Sequence, residues 1–306
     1  MSRRLRYIPD GGALVEVTCR TLHSRFLLRP SPALNDIVVG VLARAQRKYP
    51  IRICAFFFVS NHFHLTLDVD NARQLSSFMR YLNSNLAREL GRLVDWRDKV
   101  WARRYQAIVI SNEEEAQIAR LRYVLAHGVK EGLVEKVSVW PGVHCARALF
   151  EGAPVEGYWF DRSQEYAARR RREDFGRLRY ATAETLTLSP LPCWKDLPVE
   201  TQRRLAANLV AEIESEAAAQ RERSGSQVLG VAAIRRQQPH SRPKRSKKSP
   251  APLFHAMSKA VRREFYEGYA WFVAAYREAA EKLRAGNRAV SFPTGSFPPP
   301  LPFVAG

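Results

Sequence analysis

Two histidines flank a single phenylalanine in Val59-Ser60-Asn61-His62-Phe63-His64-Leu65-Thr66-Leu67-Asp68. The preceding segment, Ile51 to Phe58, is apolar and rich in β-formers, so the motif is expected on a strand. Side chains alternate faces along a strand, which puts His62 and His64 on one side with Phe63 turned into the core. Two imidazoles so placed can hold a divalent metal. A bare H-x-H also fits two ordinary polar strand residues, and a motif this short has many chance matches.

A second element strengthens the metal reading. About sixty residues on, Tyr123 and His127 stand four apart in a segment with helical periodicity, so they share one helix face. If that face looks onto the histidine side of the sheet, His127 becomes a third ligand and Tyr123 stands beside the metal. A tyrosine hydroxyl, with an ordinary pKa of about 10, is a poor nucleophile at neutral pH. A metal that polarises a scissile phosphate removes the need for a free phenolate. Attack would leave a covalent phosphotyrosine, which conserves the energy of the broken ester. The alternatives are a core aromatic at 123 and a helix-terminal histidine favoured by the dipole at 127. Tyr81 and Tyr105 are rival nucleophiles, but neither has a ligand-capable residue one helical turn away. Asn61 fits a turn residue, a histidine-orienting group or a nucleic-acid contact.

The elements that must position these residues follow in order. Residues 13–22 read as a strand. Ser31-Pro32 opens a helix that Pro50 ends. Strands at 51–59 and 62–69 are joined by the Ser60-Asn61 turn. Asn71 caps a second helix that Gly91 closes. A fourth strand spans Arg103 to Ile110, and Ser111 or Asn112 caps a third helix ending near Gly128. The order βαββαβ predicts an α+β, ferredoxin-like fold: one four-stranded antiparallel sheet with two helices on one face. Its third strand, bearing the histidines, is then central.

The chain of 306 residues carries 49 Lys and Arg against 30 Asp and Glu, a formal net charge of +19. That imbalance favours a polyanionic partner, nucleic acid above all. No run approaches about eighteen apolar residues, so no spanning helix is expected and no membrane partner. The basic N-terminus lacks the apolar stretch of a signal peptide. Cys19, Cys54, Cys145 and Cys193 form no CxxC pair and read as buried thiols in a reducing, cytoplasmic compartment.

The residues also resemble a family. Ser60-Asn61-His62-Phe63-His64-Leu65, Tyr81 to Arg88, Val100-Trp-Ala-Arg103-Arg104-Tyr105 and Arg122-Tyr123 through His127-Gly128 to Val134 are similar, in order and spacing, to the REP-associated tyrosine transposases. These belong to the HUH single-tyrosine transposases of insertion sequences, and the resemblance spans about residues 5–140. It implies a ferredoxin-like (RRM-like) fold and cleavage of single-stranded DNA near hairpins, with magnesium or manganese as cofactor. It implies a 5′-phosphotyrosine intermediate and a free 3′-hydroxyl. By position, His62 and His64 match the HUH pair and Tyr123 the nucleophile. His127 stands where the family usually has Asn or Gln, and His127-Gly128 replaces the usual Asn-Pro. Relatives imply a monomer or homodimer acting in a bacterial cytoplasm at the nucleoid. The alternative is a catalytically inactive, domesticated nucleic-acid-binding regulator on the same fold.

Four regions are expected: residues 1–140 for the catalytic domain, 141–236 as a basic, mostly helical accessory region, 237–254 as a basic linker, and 255–306 as a helix with a Pro-rich tail. Arg103, Arg104 and the run Arg169, Arg170, Arg171 and Arg172, interleaved with Tyr166, Phe175 and Tyr180, are candidate nucleic-acid contacts. Arginine with aromatics suits backbone contact and base stacking on single strands; a solvated helix face fits the same run.

Overall fold

The computed structural model describes residues 5–244 and 252–300. Seven strands and nine α-helices occur among them: β1 (Ala13–Arg20), α1 (Pro32–Lys48), β2 (Arg52–Val59), β3 (His62–Val69), α2 (Ala72–Leu93), β4 (Gln106–Ile110), α3 (Glu114–Leu125), α4 (His127–Lys130), α5 (Ala146–Phe150), β5 (Val155–Phe160), α6 (Arg162–Arg170), β6 (Ala181–Leu186), α7 (Val199–Ser224), α8 (Val231–Arg236), β7 (Phe254–His255) and α9 (Lys259–Arg284). The main sheet runs β2-β3-β1-β4-β7. Its first four strands are antiparallel and stand in the expected order, with β1 and β3 central.

The register sorts the two faces. Opposite His62, His64 and Thr66 of β3 stand Arg20, Thr18 and Glu16 of β1. The other face carries Cys19, Phe63, Leu65, Phe56 and Phe58, all buried. There α1 and α2 pack; Asn83 of α2 donates to the Cys19 thiol. Burying each such side chain is worth about 1.5–3 kcal/mol. Ser31 caps α1 by accepting from Leu34 N at 3.2 Å, and Asn71 caps α2 by accepting from Gln74 N at 2.9 Å. Both caps are where the sequence placed them.

Outside this helix layer lies a two-stranded antiparallel β5-β6 sheet, with α6 between its strands, which the sequence reading of a helical accessory region did not foresee. It lies so close to α1 that a Cβ on Gly40 would fall 2.1 Å from the Tyr158 carbonyl. Only glycine permits that approach. Arg44 and Arg47 of α1 both reach the buried Glu184 carboxylate of β6, at 2.8 and 2.7 Å.

Several boundaries differ from expectation for physical reasons. Helix α2 runs through Gly91 to Leu93; Gly91 serves instead to let Trp96 N reach its carbonyl at 2.9 Å. The fourth strand begins at Gln106, since Ala102 N is held by the Arg20 carbonyl at the end of β1 and the chain bends through Arg103 and Arg104. Neither Ser111 nor Asn112 caps α3. Glu113 is the cap residue, and its carboxylate accepts from Ser111 Oγ and from the Met257 and Ser258 amides at the start of α9. The helix ends at Leu125, and a short separate turn carries His127. The last strand, β7, pairs parallel to β4, so α9 starts only at Lys259. Arg245, Lys247 and Lys248 of the expected basic linker, and the tail beyond Pro300, lie outside the described residues.

Candidate active site

Three side chains from two elements converge on the sheet face opposite α1 and α2. His62 and His64 come from β3, and His127 from the turn after α3. All three are buried, and one ring nitrogen of each lies within 4.8 Å of the others. The ring centroids are 4.7 to 5.1 Å apart. The β-period set the first two side by side; the rotation of α3 over the sheet brought the third.

Each strand histidine is oriented by a neighbour. His62 Nδ1–H donates to Asn61 Oδ1 at 2.6 Å. His64 Nδ1–H donates to the buried Glu16 carboxylate at 2.8 Å, with Thr18 Oγ1 at 3.1 Å. Both Nε2 lone pairs are therefore directed into the cluster, as when a metal-binding histidine is oriented through the hydrogen bond of its other ring nitrogen. His64 Nε2 is buried with no hydrogen-bond partner. His62 Nε2 and His127 Nε2 face each other at 2.9 Å, which requires a proton or a cation between them. Three buried imidazole nitrogens gathered this closely are the donors that would hold one ion. The donor set thus fits a divalent transition metal.

Electrostatics keep these imidazoles neutral, the form that ligates. Burial pushes His64 down to about 3, with the Arg20 charge adding to it. His62 and His127 lie well below the ordinary histidine range, first through burial and then through the neighbouring His64 and Arg20.

Tyr123, half-buried on α3, stacks edge-on against His64 at 5.5 Å and His127 at 5.9 Å. The Arg120 guanidinium covers its ring at 4.4 Å and ion-pairs with Glu16. Lys130 Nζ lies 5.3 Å from the same ring. The rival tyrosines lie elsewhere. Tyr81 packs on Tyr49 on the α1–α2 side, and Tyr105 is buried beneath Arg6, its hydroxyl pushed up to about 12 by burial.

The remaining candidates are dispersed. The Asn61 amide is engaged by His62 and by the Ser24 carbonyl, a placement that orients the histidine. Arg103 and Arg104 line a separate cavity of about 460 Å³ with Arg6, Tyr7 and Phe254, beside β4 and β7. Arg169, Arg170, Arg171 and Arg172 are exposed at the end of α6, beyond the α1–α2 layer and away from the histidines. Arg169 and Arg171 pair with Glu165 and Glu173.

Sequence reasoning missed Glu16, Thr18, Arg20 and Arg120. The first three are polar at every second position of an apolar strand, a signal that was there to find. Arg20, next to all three histidines and to Tyr123, forms no ion pair among the described residues.

A four-stranded antiparallel core bearing a buried histidine triad beside a helical tyrosine defines the class of site. Residues 25–125 match the family Transposase IS200 like. Among solved structures, a REP-associated tyrosine transposase bound to a REP hairpin is 22% identical, over 46% of this chain and 81% of that one, with a TM-score of 0.39. A candidate transposase from Deinococcus radiodurans R1 is 16% identical, over 40% of this chain and 95% of that one, with a TM-score of 0.29. No curated protein matches the chain. Among the described residues, no helix is long and apolar enough to cross a membrane.

Proposed function

We propose that this protein is a metal-dependent single-stranded DNA endonuclease and strand transferase that cuts near hairpin DNA through a 5′-phosphotyrosine. The observation that carries the reading is the contact of the Tyr123 ring with both His64 and His127 in a buried, neutral triad. His62, His64 and His127 would hold the metal. When bound, the cation polarises the scissile phosphate and offsets its charge.

The chain's own residues supply the rest. Tyr123 Oη attacks phosphorus, forming the O–P bond as the P–O3′ bond breaks. The phenolic proton leaves to solvent, and the departing 3′-oxygen is protonated to a hydroxyl. Return attack by a 3′-hydroxyl on the phosphotyrosine rejoins a strand without ATP, because one ester has replaced another. Glu16 and Asn61 hold the imidazole tautomers that direct Nε2 inward. Arg120 fixes the Tyr123 ring, and Arg20 stands ready to meet phosphate charge.

Three imidazoles form a softer donor set than two imidazoles and an amide. His127 therefore moves the preference away from magnesium and toward manganese, cobalt, nickel or zinc.

The test is incubation of the full chain with an end-labelled hairpin oligonucleotide and each divalent ion, followed by a denaturing gel. A protein-linked band that needs metal is the expected result. Metal-independent binding that survives His62→Ala and His64→Ala, without cleavage, would establish the non-catalytic regulator instead.

A further inference from the structure

Tyr123 is half-buried. It lines a cleft of about 740 Å³ whose opposite wall is α7, a helix about a hundred residues later and outside the family match. The cleft is fixed at several points. Arg122 of α3 reaches Glu212 and Glu216 of α7 at 2.9 and 2.6 Å. Glu214 accepts from Val137 N at 2.7 Å. The segment after α7 is stitched to the turn beyond α4, with Leu229 N on the Gly132 carbonyl at 2.8 Å and Gly230 N on Leu133 at 3.0 Å.

Its lining is cationic. Lys130 stands beside the Tyr123 ring, and the last turn of α7 presents Arg221 and Arg223 across from it. Among the described residues, none of these three forms an ion pair; Arg223 reaches only the Gln220 amide, at 3.0 Å. Arg221 holds a guanidinium nitrogen buried without a partner. Such a group is costly unless something anionic meets it. The single acid lining the cleft, Glu216, is already taken by Arg122.

We propose that this cleft is the channel for the single strand that Tyr123 attacks, and that Arg221, Arg223 and Lys130 grip its phosphates. The proposal rests on the reading of Tyr123 as nucleophile. It assigns part of the active site to the C-terminal region, and it puts strand binding at α7 instead of at the arginine run of α6. Contacts of this kind read backbone charge and carry no sequence preference.

The experiment uses the full chain with Tyr123→Phe, which keeps the ring and allows binding to be measured without cleavage. A fluorescent single-stranded oligonucleotide is titrated over a range of salt. Adding Arg221→Ala and Arg223→Ala should weaken binding equally across sequences. The log–log salt slope should become shallower by about 0.7 for each phosphate contact removed. Arg277→Ala with Arg284→Ala, on the far helix α9, removes the same charge and should leave the slope unchanged. Arg221→Lys should retain most of the binding.

An unchanged slope in the Arg221 and Arg223 variant would overturn the channel, as would an equal fall in the α9 control. A native chain that forms no adduct, while the slope still falls, would end the nuclease reading and leave the cleft as a binding site. No binding to single strands at all would end both.

Discussion

Glu16 accepts from His64 Nδ1 at 2.8 Å and also ion-pairs with Arg120, whose guanidinium lies on the Tyr123 ring. One buried carboxylate on β1 therefore orients a candidate ligand and anchors the helix that carries the candidate nucleophile. Replacing it by alanine leaves a largely buried guanidinium unpaired, which costs about 3–5 kcal/mol. Glu16→Gln keeps an acceptor and should cost less, yet lower metal affinity by about 10–100-fold, as loss of such partners does. Urea denaturation and metal titration of the two variants separate the effects. Equal metal affinity in Glu16→Gln and the native chain would remove Glu16 from the site.

Metal binding should be visible as stability. A ligand at a hundred times its Kd adds about 2.7 kcal/mol to the folded state. Zinc, nickel or cobalt should raise Tm by several degrees, manganese by less and magnesium least, in line with imidazole donors. In His127→Ala the increment should largely vanish. A shift equal for magnesium and zinc, or one that survives His127→Ala, would place the ion elsewhere.

Acid should unfold the chain early. His144 is pushed down to about 4 by burial and the nearby Arg147 charge, and His64 to about 3 by burial and Arg20. For both, the folded value lies below the ordinary 6.5, so the unfolded chain takes up the proton first. Stability is then full above about pH 6.5 and falls as pH drops toward 4, by up to about 1.4 kcal/mol per unit for each group. Urea midpoints between pH 7.5 and 4.5 should fall accordingly, and His144→Phe should flatten part of the slope. A level profile would contradict the burial of these rings.

Much of this site was legible because local periodicity carries it. The strand period alone sets His62 beside His64, and the helical backbone of Ala126, between α3 and the next turn, keeps the spacing that sets Tyr123 beside His127. The order of elements was enough to put β3 at the centre of the sheet. Other features depend on distances along the chain that no local pattern encodes. Arg120 joins the site only through the rotation of α3, which sequence periodicity leaves free between buried and half-buried faces. Phe254–His255 is a two-residue strand whose partner lies more than a hundred residues back, too short to announce itself. Arg169 to Arg172 show the converse limit. Composition marked them as cationic, but their position beyond the α1–α2 layer follows from a two-stranded sheet that packs on Gly40, and Arg221 and Arg223 line one cleft with Tyr123 through the folding back of α7.

The nucleophile is the claim on which the rest depends. A hairpin oligonucleotide is incubated with the full chain in manganese or zinc, any adduct is trimmed with nuclease and trypsin, and the modified peptide is sequenced by mass spectrometry. A nucleotide attached through its 5′-phosphate to Tyr123 is expected, with no adduct in Tyr123→Phe. A nucleotide on Tyr81 or Tyr105, or cleavage that leaves no tyrosine modified, would contradict it.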